Sequence, residues 1–216
     1  SRKIFTNIHI RSSCFNGHLY FVTNRHYTNL VRYLRIFIYN IHMKKLLLIL
    51  CLVPFYSEAC SDLLDTDMRL LDSAETKNLC EFEGKAMLVV NVASRCGYTY
   101  QYAELQNLYK KYKDEDFVVI GVPSRDFLGQ ELADESDVKE FCSTEYGVTF
   151  PMFATTKVRG KKAHPFYKKL RKESGVQPSW NFNKYLISKD GSIVSTYGKN
   201  VEPNSPGLIS DIEKLL

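Results

Sequence analysis

One cysteine occupies a position at which a thiol is readily activated. Cys96 follows a near-continuous apolar run at 86–93 (AMLVVNVA), which predicts a strand buried on both faces, and it precedes a helical pattern that extends to Lys113. Its sulfur can therefore face a helix N-terminus, where unpaired N–H groups favour the thiolate. Arg95 adds a cation, and Gly97 permits a tight turn beside the sulfur. We predict a nucleophilic thiol.

Different thiol chemistries make different demands on the surrounding residues. A cysteine hydrolase needs a base, and the only histidine after residue 42 is His164. A dithiol oxidoreductase uses Cys-x-x-Cys, but Thr99 occupies the second cysteine position, and the other cysteines are too widely spaced for a zinc site. Peroxide reduction, which converts the thiolate to a sulfenic acid, needs only neutral hydrogen-bond donors around the sulfur. An inert buried cysteine is the remaining alternative.

Three side chains elsewhere in the chain could supply those donors. Trp180, the only tryptophan, carries an indole N–H, and Asn181 and Gln130 each carry an amide NH₂ group. Spacing alone does not distinguish Trp180 from an ordinary core or rim aromatic.

The elements that must position these residues follow the order of a thioredoxin-like α/β fold, in which helices flank a central mixed β-sheet. In chain order we predict a strand at 86–93, a helix at 102–113, a strand at 117–123, helices at 134–146 and 164–173, a hairpin of strands at 184–188 and 193–197, and a closing helix with Ser205 as its N-cap. The first two strands should be parallel, because a helix connects them. Gly147 is predicted to end the 134–146 helix.

The charge of the chain is unevenly distributed. The 216 residues carry 29 Lys and Arg against 24 Asp and Glu, a net charge of +5, yet 1–42 contains six basic residues, no acidic residue and four of the five histidines. From Met43 the sequence MKKLLLILCLVPFYSEAC has the basic, apolar and small-residue regions of a secretory signal peptide. We expect 1–42 to be upstream sequence read in frame, with a transit peptide as the alternative. We expect 43–59 to be the signal and 60–216 to be a periplasmic or secreted domain.

The domain at 60–216 has a net charge of −2, from 21 basic and 23 acidic residues. This charge gives no reason to expect a nucleic-acid partner. The near-average composition excludes intrinsic disorder, and no apolar run reaches the roughly 20 residues of a membrane-spanning helix. Membrane association is expected only if Cys60, the first residue after cleavage, carries a lipid. Cys80 is expected to be incidental, with a role for Cys60 or Cys80 as the alternative.

Five segments resemble, in order and spacing, the motifs of the glutathione peroxidase family. They are 90–99 (VNVASRCGYT), 127–131 (FLGQE), 141–151 (FCSTEYGVTFP), 164–167 (HPFY) and 180–182 (WNF). The resemblance covers 63–216 and implies a thioredoxin-like fold and the reduction of hydrogen peroxide and organic or lipid hydroperoxides. It implies that Cys96 is the peroxidatic residue and that Gln130, Trp180 and Asn181 are its hydrogen-bond donors. No cofactor or metal is expected, only a thiol co-substrate such as thioredoxin or glutathione.

The family also suggests a role for Cys142. In many members that use Cys instead of selenocysteine, a cysteine at this position resolves the sulfenic acid as a disulfide, and thioredoxin is the reductant. The alternative is that Cys142 is an apolar member of the helix face that Val138 and Phe141 share. The chain lacks the long insertion used for tetramer contacts, so a monomer or dimer is expected.

Some positions depart from the family pattern. The segment 124–126 (SRD) lacks a cysteine common there, Leu128 stands where Gly is usual, and Tyr100 replaces a Pro at the helix start. These differences affect the mouth of the site and its substrate preference rather than the four central residues. A non-enzymatic redox sensor of the same fold, in which oxidation of Cys96 changes a partner interface, is the alternative function.

Overall fold

The computed structural model describes residues 13–15, 18–20 and 60–216. The chain divides into two units, Ser1–Ser57 and Glu58–Leu216. In the first unit, strands β1 (Ser13–Phe15) and β2 (His18–Tyr20) pair antiparallel. The predicted signal peptide at 43–59 lies outside the described residues, and so does almost all of the segment predicted to be upstream sequence.

A four-stranded mixed sheet forms the centre of the second unit. Its strands are β5 (Ala86–Val92), β6 (Phe117–Pro123), β7 (Lys184–Ile187) and β8 (Ile193–Tyr197), in the spatial order β6-β5-β7-β8. Strand β5 pairs parallel with β6 and antiparallel with β7, which confirms the predicted connections. Every residue of β5, β6 and β7 is buried, as the continuous apolar runs of β5 and β6 predicted.

Four helices surround this sheet, and all four were predicted to within a few residues. They are α1 (Gln101–Tyr112), α2 (Glu135–Tyr146), α3 (Pro165–Ser174) and α4 (Pro206–Glu213). Gly147 ends α2 in the left-handed conformation, with φ of +58°, which glycine adopts without steric cost. Ser205 occupies the N-cap position of α4, but its side chain makes no capping hydrogen bond.

The region before β5 contains structure that was not predicted. Strands β3 (Asp67–Arg69) and β4 (Thr76–Asn78) form a small antiparallel hairpin, followed by a 3₁₀ helix at Leu79–Phe82. A disulfide joins Cys60 to Cys80, with Cα atoms 5.7 Å apart. The expectation that Cys80 is incidental was therefore wrong, because Cys80 fastens the start of the domain to the 3₁₀ helix.

The sheet separates two apolar clusters. Leu88 and Val90 of β5 pack on the side of α1, α2 and α4, whereas Met87 and Val89 pack on the side of α3. Because β5 and β6 are parallel, the segments that follow them leave the sheet at the same edge, where ligands of such sheets bind. No helix in the described part of the chain combines the length and apolarity needed to cross a membrane.

Candidate active site

Cys96 lies at this edge, in a run of turns between β5 and α1. The Thr99 N–H donates to the Cys96 carbonyl at 3.1 Å, and further turns lead into α1, which begins at Gln101. The Cys96 side chain is 5% exposed, packs in the apolar cluster beside α1 and is not disulfide-bonded. The thiol is thus free and shielded by apolar neighbours.

The segment after β6 is fastened directly to the Cys96 turn. The Arg95 N–H donates to the Gln130 carbonyl at 2.8 Å, and the Ser94 N–H donates to Glu131 Oε1 at 2.9 Å. Glu131 Oε1 also accepts from the Leu132 N–H at 2.8 Å. Burial raises the pKa of Glu131, although the Ser94 and Leu132 donors oppose this. Glu131 was not singled out from sequence, and it holds the two loops together.

Two of the predicted donors contact each other. The Asn181 side-chain NH₂ donates to Gln130 Oε1 at 2.9 Å, and Asn181 is fully buried. The Gln130 NH₂ and the Trp180 indole N–H make no hydrogen bond to any side chain or backbone of the described residues. The contact aligns one amide through the other, and the hydrogen bond from the Arg95 N–H to the Gln130 carbonyl places this pair beside the Cys96 turn.

Trp180 is held through its backbone and its ring. Its backbone N–H donates to Asn183 Oδ1 at 3.1 Å, and its backbone carbonyl accepts from Asn91 Nδ2 at 3.0 Å. Its ring lies 5.6 Å from the Phe127 ring and 5.1 Å from Lys199 Nζ. Asn91 and Asn183 were not predicted from the sequence as functional residues. The available signal was Asn91, a polar residue inside an otherwise apolar strand, which needs a buried partner.

A buried lysine supports the segment 180–182 through a hydrogen bond to its backbone. Lys184 Nζ donates to the Phe182 carbonyl at 2.8 Å and to Gln101 Oε1 at 2.7 Å. Burial lowers the pKa of Lys184 from 10.5 to about 7, an effect that Glu202 opposes. Phe182 has a φ of +64°, so this contact stabilises a strained backbone directly after Asn181.

Cys142 lies in the second half of α2, within the apolar cluster that also contains Cys96. It is 2% exposed and not disulfide-bonded. Burial raises its pKa to about 12, with Tyr102 opposing the effect and Glu131 adding to it. Cys142 is therefore protonated at neutral pH in this conformation. The structure does not link it to Cys96, and its resolving role stays a prediction.

His164 has a structural function. Its Nδ1 accepts from the Phe166 N–H at 3.3 Å and caps α3. Burial lowers its pKa, and nearby Lys168 lowers it further. One ring nitrogen is thus committed to the helix, which weakens the alternative that His164 is the base of a cysteine hydrolase.

Leu128 shows the consequence of one departure from the family pattern. It adopts a φ of +55° and is 82% exposed. Glycine suits this conformation because it lacks a Cβ atom, so leucine introduces strain and an apolar side chain close to Gln130.

Comparisons of sequence and structure relate the chain to known proteins. The family model of glutathione peroxidase matches residues 63–171. A glutathione peroxidase homolog of Halalkalibacterium halodurans is 42% identical over 68% of this chain and 94% of its own length. Hydroperoxy fatty acid reductase of Synechocystis is 43% identical over 64% of this chain and 86% of its own length. The crystal structure of T. cruzi GPX1 superposes with a TM-score of 0.55 and 27% identity, over 72% of this chain and 94% of that one.

Proposed function

The chain belongs to the glutathione peroxidase family and is a thiol-dependent peroxidase, and we propose that its catalytic cycle begins at the Cys96 sulfur. One observation carries the assignment: a free, shielded thiol follows β5 at the place where the Gln130–Asn181 amide pair and Trp180 are held together. The relatives are named as peroxidases and reductases, which disfavours the redox-sensor alternative.

The first step transfers one oxygen atom to sulfur. The Cys96 thiolate attacks the nearer oxygen of the hydroperoxide, the O–O bond breaks, and the departing oxygen takes a proton and leaves as water or an alcohol. Sulfur is oxidised by two electrons to a sulfenic acid. The uncommitted N–H groups of Gln130 and Trp180 are the donors that would stabilise the departing oxyanion.

The second step requires movement of Cys142. Its thiolate attacks the Cys96 sulfenic sulfur, displaces hydroxide and forms a disulfide, which a thioredoxin-like dithiol then reduces. In the folded conformation Cys142 is buried and protonated, so the last turn of α2 must open first. We propose a thioredoxin-like electron donor by analogy, because a relative from Escherichia coli that is 35% identical is named thioredoxin/glutathione peroxidase.

Substitution of the two cysteines separates the steps. Cys96→Ser should abolish the fast consumption of hydrogen peroxide and the sulfenic acid that dimedone traps, measured by stopped flow and mass spectrometry. Cys142→Ser should retain one oxidation per chain but accumulate the sulfenic acid and lose turnover with thioredoxin. A Cys96→Ser protein with normal turnover refutes the assignment of the nucleophile, and a Cys142→Ser protein with normal turnover reduces Cys142 to a packing residue.

We also propose that the domain is exported, without a lipid on Cys60. The Cys60–Cys80 disulfide supports export, because such bonds persist in oxidising compartments. A disulfide-bonded Cys60 has no thiol available for thioether attachment of a lipid. Mass spectrometry of the native protein tests both statements. A mature chain that begins near Cys60 and contains the disulfide is expected, whereas a lipid-bearing Cys60 or a chain that retains 43–59 contradicts them.

A further inference from the structure

Basic residues concentrate around the start and outer face of α3. The segment 157–172 contains eight Lys and Arg and no Asp or Glu. The net charge of −2 for 60–216 conceals this local excess, because acidic residues elsewhere in the domain offset it. A fixed cluster of one sign attracts an anion whatever the total charge of the domain.

The cluster surrounds a cavity of about 270 Å³. It is lined by Val158, Arg159, Gly160, Ala163, Tyr167, Lys168, Arg171, Lys172 and Gln177. The four lining cations are exposed, and within the described residues none forms an ion pair. By contrast, Lys157 and Lys169, which do not line the cavity, pair with Asp126 and Asp62. The cations at the cavity therefore remain available to a ligand.

Two lining side chains have buried polar atoms without a partner in the described part of the chain. They are the hydroxyl of Tyr167, a residue only 1% exposed, and Oε1 of Gln177. An unpartnered buried polar atom costs free energy unless a ligand or water completes it. Tyr167 can donate a hydrogen bond and Gln177 Oε1 can accept one. Two residues of the cavity lining thus carry a buried donor and a buried acceptor that no described residue satisfies.

We propose that this cavity binds a phosphate monoester group, either free or as a lipid headgroup. The oxygens of such a group accept from Arg and Lys and from the tyrosine hydroxyl, and an adjacent hydroxyl of the ligand donates to the glutamine carbonyl. The dianionic group matches the cations better than a single carboxylate does. The cavity volume of about 270 Å³ lies near the lower limit for ligand pockets, which is about 300 Å³, and suits one small group.

The cavity is also connected to the peroxidatic site. The Arg159 guanidinium lies 5.4 Å from the centre of the Phe127 ring, which in turn lies 5.6 Å from the Trp180 ring. Asp126 Oδ2 accepts from the N–H groups of Val158 and Arg159 at 2.7 and 3.2 Å. A ligand that reorients Arg159 will therefore change the surroundings of Trp180, whose fluorescence reports binding.

Inorganic phosphate is the first probe. At constant ionic strength, phosphate but not chloride should raise the melting temperature and change Trp180 fluorescence. Lys168→Gln/Lys172→Gln should weaken phosphate binding by at least about tenfold, because it removes two charged hydrogen bonds. Tyr167→Phe removes only the hydroxyl and should weaken binding while leaving peroxide oxidation unchanged.

Lys161→Gln/Lys162→Gln is the matched control, because it removes the same charge from the same segment outside the cavity. It should bind phosphate as the parent protein does. Equal weakening in the control and cavity variants, or a response to chloride as large as the response to phosphate, overturns the proposal, since either indicates diffuse attraction.

Vesicles distinguish the two sources of the phosphate group. Co-sedimentation compares phosphatidylcholine vesicles with vesicles of equal parts phosphatidylcholine and phosphatidic acid. If the cavity variants lose binding to the second kind of vesicle and the control variant retains it, the ligand is a lipid headgroup. Phosphate binding without vesicle binding assigns a free phosphorylated ligand. The absence of any cavity-dependent binding in both experiments refutes the site, whether or not the protein reduces peroxide.

Discussion

Lys184→Met tests how a buried amine supports the Trp180–Asn181 segment. Lys184 has no exposed surface, and it donates to Gln101 Oε1 and to the Phe182 carbonyl. Methionine fills a similar volume but supplies no donor, so two buried acceptors lose their partner. Each such loss costs about 1–3 kcal/mol, so we expect the variant to be less stable by about 2–6 kcal/mol when the parent amine is neutral.

The pH dependence gives a sharper test than the size of the effect. The folded-state pKa of Lys184 is lowered from 10.5 to about 7, because burial disfavours the charged amine. Between these values the unfolded chain holds a proton that the folded chain has released. Stability therefore rises with pH across this window, by up to about 1.4 kcal/mol per pH unit, and is unaffected by Lys184 below it.

The neutral amine retains two N–H donors, so both hydrogen bonds survive deprotonation. The stability advantage of the parent over Lys184→Met should thus be about 2–3 kcal/mol larger near pH 9 than near pH 6. Urea unfolding followed by the fluorescence of Trp180, the only tryptophan, measures it. Lys110→Met, which changes an exposed lysine of α1, is the control and should lack this dependence. A parent and a Lys184→Met variant with the same pH profile refute the reasoning.

Three further substitutions test individual contacts. Cys80→Ser should destabilise the domain by about 3 kcal/mol, given a sequence separation of 20 residues, without slowing peroxide oxidation. Dithiothreitol should lower the melting temperature of the parent protein to that of the variant. A parent melting temperature that dithiothreitol leaves unchanged argues that the disulfide is absent. His164→Ala should cost about 1 kcal/mol as a lost helix cap and leave turnover intact, whereas lost turnover revives a catalytic histidine. Leu128→Gly should increase stability by about 0.5–1 kcal/mol in urea unfolding; the same gain in Leu128→Ala contradicts backbone strain as the cause.

The accuracy of the predicted fold follows from the length of each pattern. The seven-residue apolar runs of β5 and β6 and the twelve-residue spacing of α1 identify their elements, because many positions agree. Strands β3 and β4 have only three residues each, and β3 alternates exposed and buried positions too briefly to show a period. Their pairing depends on the chain around them rather than on local pattern.

The central site could be predicted only as far as side-chain chemistry reveals it. Cys96, Gln130, Trp180 and Asn181 were selected for a thiol and for N–H donors. The structure places Asn181 against Gln130, whose carbonyl accepts from the Arg95 N–H beside Cys96. The groups that hold them act through backbone atoms, as Asn91 does on the Trp180 carbonyl and Glu131 does on the Ser94 N–H. A backbone partner depends on the tertiary path of the chain, and residue type does not encode it.

The same contacts bear on the different tasks that we propose for the two cysteines. Cys96 lies in turns that hydrogen bonds to Glu131 and Gln130 hold in place, so the proposed nucleophile is positioned before peroxide arrives. Cys142 lies in a helix whose last turn is closed by the bond from the Val148 N–H to the Cys142 carbonyl at 3.0 Å. Opening that turn breaks few hydrogen bonds and would expose the thiol to water, where its pKa returns toward the ordinary value. The rate of disulfide formation should therefore follow the opening of α2 rather than the oxidation of Cys96.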